Sequence, residues 1–342
     1  MSKSISLSYS QMSTFKDCRR KWYLSYVLGY SPKMTSPKLV LGRLVHSALE
    51  SFYKGGDIEK AYDQALISEI EKLKKEFPFA DEEFEAYLNE LEDELNLGRE
   101  MVRNYKTYAE INDPKLINKV ISTEVRKEVA LKYGVKILGY MDMIFQDKYG
   151  MFWVMEHKTA NAISTDHLVL DEQASIYTML AEKIFKIKLA GIYYNFIKKA
   201  VPQKPALLKN GTLSKAKNNN ITYETYMEAI KENGFEISDY SDILEYYSSQ
   251  EQGFIKRIPV IRNESEKEEI AQRIQLVARD MKKAENDIKM IYPHPTRDCS
   301  WKCPFRDVCI EMNNGGDYEF LLDRNFEKRT EKVEEEVEED VG

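Results

Sequence analysis

Two carboxylates and an ammonium occur in a fixed order near the middle of the chain: Asp142 in Gly139-Tyr-Met-Asp142, then Glu156-His-Lys158, followed by Gln173-x-x-x-Tyr177. Carboxylate oxygens suit a hard divalent cation. A nearby positive charge suits a phosphodiester that gains negative charge as water attacks it. The spacing indicates how these groups meet. Residues 133–145 and 151–158 are rich in Val, Ile, Tyr, Phe, Trp and Met, and Asp147-Lys-Tyr-Gly150 between them is a turn signal, so a β-hairpin is expected. A turn centred near Tyr149 sets Asp142 opposite Glu156, where Cβ atoms stand about 5 Å apart and like charges repel unless something offsets them. A divalent cation would. Side chains alternate along a strand, so Glu156 and Lys158 share a face and His157 points away.

The flanking pattern supports this placement. Met151-Phe-Trp-Val-Met155 is apolar on both faces and reads as a central buried strand, where charges persist when paired or bound to metal. A surface Glu-x-Lys strand end is the plain alternative for the tripeptide alone, and the aligned Asp142 weighs against it. Gln173 and Tyr177 lie four apart in a helical pattern from Asp171 to Phe185, so they share one face. Leu41, Leu44, Val45, Ala48 and Leu49 mark an amphipathic helix that presents His46 and Glu50 together.

The four cysteines form a second constellation. Cys18 precedes Arg19-Arg-Lys-Trp-Tyr23, and the other three fall in Cys299-Ser-Trp-Lys-Cys303-Pro-Phe-Arg-Asp-Val-Cys309. Four thiolates suit an iron–sulfur cluster or a structural zinc, although the two close Cys pairs usual for zinc are absent. His294, between Pro293 and Pro295, is a possible substitute ligand in a zinc site, or a loop histidine.

The order His46, Asp142, Glu156-x-Lys158, Gln173-x-x-x-Tyr177 resembles the PD-(D/E)XK nuclease superfamily, specifically its RecB-like branch, which includes the AddB nuclease domain, CRISPR-associated nucleases and phage exonucleases. The resemblance spans most of the chain. It implies an α/β fold with a restriction-endonuclease-like core, a central mixed sheet flanked by helices. It implies Mg²⁺ or Mn²⁺ held by Asp142, Glu156, His46 and the His157 backbone carbonyl, with Lys158 orienting water or shielding charge and Gln173 and Tyr177 supporting the site and contacting DNA. One distant cysteine followed by a cluster of three resembles the iron–sulfur staple of this branch, so a 4Fe-4S cluster is implied that ties the two ends of the fold into a cap. The branch pattern places two residues between the first clustered cysteines, whereas three separate Cys299 from Cys303.

The implied activity is metal-dependent hydrolysis of DNA by an exonuclease in replication, recombination or repair. A structure-specific or flap endonuclease shares the same residues, and a non-catalytic DNA-binding scaffold is the competing class. Implied partners are single-stranded DNA or DNA ends, and a helicase or other replication or recombination protein, since the chain shows no motor motif.

Composition bounds the rest. With 342 residues, 43% hydrophobic and 31% charged, the chain reads as a soluble globular protein. No apolar run suggests a signal peptide or membrane span, so a cytoplasmic protein of a bacterium or phage-infected cell is expected. The net charge of −7 is concentrated at the end: residues 327–342 carry eight acidic and three basic side chains, leaving −2 on residues 1–326. A disordered acidic tail is expected after a single elaborated domain over 1–326. Lys198, Lys199, Lys204, Lys209, Lys215 and Lys217 fall in a stretch with no acidic residue. With Pro202, Pro205 and Asn210-Gly211 this suggests a protruding loop for phosphate contact, or simply solvated lysines. Arg19, Arg20 and Lys21 beside Trp22 and Tyr23 offer a second DNA surface, unless the aromatics are core. Residues 57–112 read as a helical insertion over the cleft, with apolar positions including Leu73, Phe77, Phe84, Leu88, Leu91 and Leu95. Thr222–Tyr247 reads as two helices, Ser265–Tyr292 as one long helix, and 191–197 and 254–261 as strands.

Overall fold

The computed structural model describes residues 5–76, 82–249 and 253–329. Phe77 of the expected insertion and residues 330–342 of the expected tail lie outside them. The chain begins with β1 (Ile5–Ser8), α1 (Tyr9–Asp17), α2 (Arg19–Trp22), β2 (Tyr30–Pro32) and α3 (Pro37–Tyr53). It continues through α4 (Ile58–Glu76), α5 (Glu82–Leu116), β3 (Ile117–Ala130), β4 (Val135–Asp147), β5 (Phe152–Ala160), α6 (Glu172–Phe185) and β6 (Leu189–Lys198). It ends with α7 (Tyr223–Glu232), α8 (Ser241–Ser248), β7 (Ile255–Ile261), α9 (Glu264–Asn286), α10 (Arg306–Asn314), α11 (Tyr318–Asn325) and β8 (Phe326–Lys328). Where the sequence suggests a single elaborated domain, the chain forms two compact units, one of Ser36–Arg273 and one of Ile5–Thr35 with the chain from Ile274 onward.

In the first unit five strands lie in the order β3-β4-β5-β6-β7. The β5–β6 pair is parallel and the others antiparallel, which makes the sheet mixed, as expected. The β4–β5 hairpin is set by Asp147: its carboxylate accepts hydrogen bonds from the backbone N–H groups of Tyr149 and Met151 and from the Trp153 indole. Gly150 supplies the positive φ of +83° that the turn requires. Register runs from Gln146↔Phe152 to Met143↔Met155, so the ladder stops one step short of Asp142 and Glu156. A parallel strand needs a crossover, and α6 provides it. Asp171 caps α6, one oxygen accepting from the Gln173 N–H and the other from the Tyr194 hydroxyl.

The expected insertion is helical, but it is built into the core. α4 and α5 bury Tyr62, Leu66, Leu73, Leu91, Leu95 and Tyr105 against Val40, Leu41, Val45 and Leu49 of α3, together with Ile197 and Ile255 of the sheet. The loop carrying the six lysines is pinned at Leu213, which packs with Ile221, Tyr226, Tyr240 and Tyr247, while Lys204, Lys209, Lys215 and Lys217 stay exposed.

The second unit brings the two ends of the chain together. β2 pairs with β8, and Leu24, Phe305, Val308, Leu322 and Phe326 form a small core in which the Phe305 and Phe326 rings stack 4.7 Å apart. Strand β8 therefore extends to Lys328, into the tail expected from residue 327. Among the described residues, no helix is long and apolar enough to cross a membrane.

Candidate active site

β4, β5, α3 and α6 carry the predicted residues to the end of the β4–β5 ladder. Asp142 Oδ2 accepts the His157 backbone N–H at 2.6 Å, and Asp142 Oδ1 lies 3.3 Å from His46 Nδ1 on α3. Glu156 is 6% exposed. Its Oε1 accepts from Lys158 Nζ and from Gln173 Nε2, each at 2.8 Å, while Lys158 also donates to Gln173 Oε1 at 3.0 Å. Glu156 Oε2 is buried with no hydrogen-bond partner among the described residues. A buried carboxylate oxygen left bare is costly, and a cation would satisfy it. Tyr177, also buried, lies one turn along α6 from Gln173.

The electrostatics follow from this crowding. Burial pushes the Glu156 carboxyl up to about 7, with the Asp142 charge adding to the effect and Lys158 opposing it. Burial would also raise Asp142, but the hydrogen bond and charge of His46 hold it below the usual carboxylate range. Burial opposes charge on His46 and Lys158 as well; Asp142 outweighs it for His46 and Glu156 for Lys158, and both end above their ordinary values. Burial drives His157 down to about 3, so its ring is neutral.

Glu124 is a site residue that sequence reading missed. Its carboxylate lies with ligand atoms of His46 and Asp142 in a group whose atoms are all within 4.8 Å of one another, and among the described residues this is the one such group of three or more His, Cys, Asp or Glu. Thr123 pairs with Met143 and Val125 with Met141, which leaves Glu124 level with Asp142 at a φ of +46°. Loss of water around its carboxyl, with the charges of Asp142 and Glu50, lifts it to about 7, although much of the residue surface stays exposed. β3 went unread because its many polar residues mimic a loop. Pairing the chain back across the Tyr133-Gly134 turn would have set Glu124 against Asp142.

The second unit gathers all four cysteines. Cys18, Cys299, Cys303 and Cys309 line one cavity of about 210 Å³ together with Arg20, Lys21 and His294. All four are free thiols. Arg20 donates to Cys309 Sγ at 3.2 Å, and the Thr296 backbone N–H to Cys299 Sγ at 3.4 Å. Burial, opposed by Lys21, pushes the Cys303 thiol up. No three of these sulfurs fall within the 4.8 Å grouping that His46, Glu124 and Asp142 form.

The proposed DNA-contact residues are largely engaged within the protein. Lys198 donates to Asn220, Lys199 to the Lys38 carbonyl, Lys204 pairs with Glu232 and Lys215 with Asp242. Lys217 sits over the Tyr246 ring, and Lys209 stands in a turn. Arg19 packs over Phe15 and Tyr292, Arg20 bonds Cys309 and Asn313, and Trp22 is core. Lys21 faces the cysteine cavity.

Sheet, crossover helix and the Asp142, Glu156 and Lys158 constellation define a class, and comparison with known families agrees. The family model of the PD-(D/E)XK nuclease superfamily matches residues 6–310, and the chain belongs to that superfamily. Among solved structures, the chain is similar to one described as a "Putative exonuclease" from Eubacterium rectale, with 14% identity, 89% of this chain and 86% of that chain covered, and a TM-score of 0.46. No curated protein matches the chain.

Proposed function

We propose that the protein is a metal-dependent deoxyribonuclease, most simply an exonuclease acting on single-stranded DNA or DNA ends. The unpartnered Glu156 Oε2, on a carboxyl that feels the charges of Asp142 and His46, carries this reading, although Glu156 stands outside the 4.8 Å group of His46, Glu124 and Asp142. Asp142, Glu156, His46 and the His157 carbonyl would hold Mg²⁺ or Mn²⁺, with Glu124 as a further oxygen donor. When bound, such an ion acidifies water and polarises a phosphoryl oxygen. Gln173 and Lys158 fix Glu156 by one oxygen, so the other keeps a defined direction. Lys158 stays protonated, available to face negative charge on the phosphate. Tyr177 is assigned to support of the α6 face.

The experiment is incubation with Mn²⁺ and end-labelled linear or circular DNA. Nucleotides released from ends support the exonuclease, cut circles support an endonuclease, and no products support a DNA-binding scaffold. A helicase partner would supply unwinding, for which the sequence has no motif.

Three further outcomes are expected. Glu156 and Glu124 must lose their protons to bind a cation, so Mn²⁺ affinity should fall as pH drops below about 7, roughly tenfold per unit for each group, and level off above it. Without the ion the linkage has the opposite sign. Both folded carboxyls are raised, so the stability they contribute is present at low pH and lost as pH rises through about 7. Calorimetric titrations across this range check the first, and thermal melts the second. Glu124→Gln should weaken Mn²⁺ about tenfold without lowering the ion-free melting temperature, since it removes a repulsive charge; unchanged affinity would exclude Glu124 from the ion's shell.

We also infer that the four thiols bind a 4Fe-4S cluster. Four cysteines around one void support this. A brown solution of purified protein favours iron and sulfide, and a colourless one zinc or free thiols.

A further inference from the structure

His157 lies between Glu156 and Lys158, yet its ring belongs to the opposite face of the sheet. It is 3% exposed, stacked on Tyr53 of α3 at 5.7 Å and edge-on to Tyr105 of α5 at 6.2 Å. Sheet register sets His157 beside Asn195, and Asn195 beside Arg257. Three polar side chains thus cross β5, β6 and β7 in one buried row.

The bonding in this row has a direction. Arg257 Nε donates to Asn195 Oδ1 at 3.1 Å, and Asn195 Nδ2 lies 2.8 Å from His157 Nδ1. A guanidinium can only donate, so the amide oxygen must face Arg257 and the amide NH₂ must face the histidine. Nδ1 of His157 is then the acceptor, and the ring proton sits on Nε2. Arg257 is itself held by the Tyr105 and Tyr53 hydroxyls at 3.0 and 3.2 Å and by Asp113 at 2.6 Å. The two tyrosine hydroxyls meet at 2.6 Å, and Asn195 also donates to Tyr105 at 3.1 Å. Burying a charged pair and its amides stabilises a fold poorly compared with apolar side chains of the same volume. A buried network with this many bonded members fixes geometry, although Arg257 Nη1 has no hydrogen-bond partner among the described residues and Asp113 Oδ1 none beyond its ion pair with Arg257.

The geometry it fixes is that of the site. The His157 main-chain N–H seats Asp142 Oδ2 at 2.6 Å, and the same residue's carbonyl is a proposed cation ligand. We propose that Asn195, braced by Arg257, is a positioning residue: by clamping the His157 ring it sets the backbone that aims Asp142 at the ion. The proposal rests on reading this site as a cation site.

Mn²⁺ binding is measured by calorimetry, beside DNA affinity in the absence of metal. Absence of binding to the wild type overturns the cation reading, and this proposal with it. Given wild-type binding, Asn195→Leu, which removes all three hydrogen bonds of Asn195 while keeping its branching and number of side-chain heavy atoms, should weaken Mn²⁺ 10- to 100-fold and leave DNA affinity unchanged. Asn195→Asp, which can accept from Arg257 and from a histidine protonated on Nδ1, should restore Mn²⁺ affinity to within about threefold. If Asn195→Leu fails to give a cooperative melt, Asn195→Ser is read in its place. Wild-type Mn²⁺ affinity in the leucine or serine variant, or equal loss in leucine and aspartate variants, overturns the positioning role and leaves the function standing.

Discussion

Replacing Lys158 with alanine should lower single-turnover DNA cleavage at saturating Mn²⁺ by about 10³-fold while DNA binding stays within twofold. Lys158 is the cation bonded to both Glu156 and Gln173, and its charge matters most as negative charge builds on the phosphate. Losing it removes an interaction made in the transition state rather than one that holds substrate, so kcat should fall and KM should hold. The variant also leaves Glu156 buried beside Asp142 with its nearest positive charge gone. Its carboxyl should then take up protons more readily, and the cleavage that remains should shift to higher pH. Retained cleavage in Lys158→Ala would remove Lys158 from the chemistry.

The second large effect is expected at the cysteines. Cys18→Ser should bleach the purified protein and lower the stability of the second unit by several kcal/mol, because metal binding by such a site is folding free energy. The buried apolar core of that unit is small, built around Leu24, Phe305, Val308, Leu322 and Phe326, and cores of this size rarely hold a fold without a staple. Cys18 is the one cysteine contributed by the N-terminal segment, and the other three come from the C-terminal one. Limited proteolysis should therefore release fragments from both ends in the variant. An unchanged absorption spectrum and melting curve would remove Cys18 from any cluster.

Much of this site was legible in the sequence, because its geometry is carried by short-range signals. The Asp147–Gly150 turn fixes the β4–β5 register, and the register fixes Asp142 against Glu156. The helical period of α6 fixes Gln173. Glu124 was not legible: of β3 only Val125 is buried, so the strand pattern is diluted by Asn118, Lys119, Ser122, Thr123 and Lys127. The Asn195–Arg257 row was hidden for another reason. Its members lie far apart in sequence and meet only through the order of β5, β6 and β7, which no local pattern encodes. The lysines of 198–217 show the converse limit. Their spacing was read correctly, but charge counting along a segment could not find Glu232 and Asp242, which neutralise two of them from α7 and α8.

The double anchoring of one Glu156 oxygen also bears on which ion the protein would accept. Oε1 is already taken by Lys158 and Gln173, so the carboxylate has one oxygen left and cannot chelate an ion through both. Calcium fills a shell of six to eight oxygens and often uses two-point carboxylate contacts, whereas magnesium keeps six and fills the remainder with water. A glutamate locked in this way disfavours the larger ion without needing a smaller cavity, and selection against calcium would come from a hydrogen bond rather than from steric exclusion.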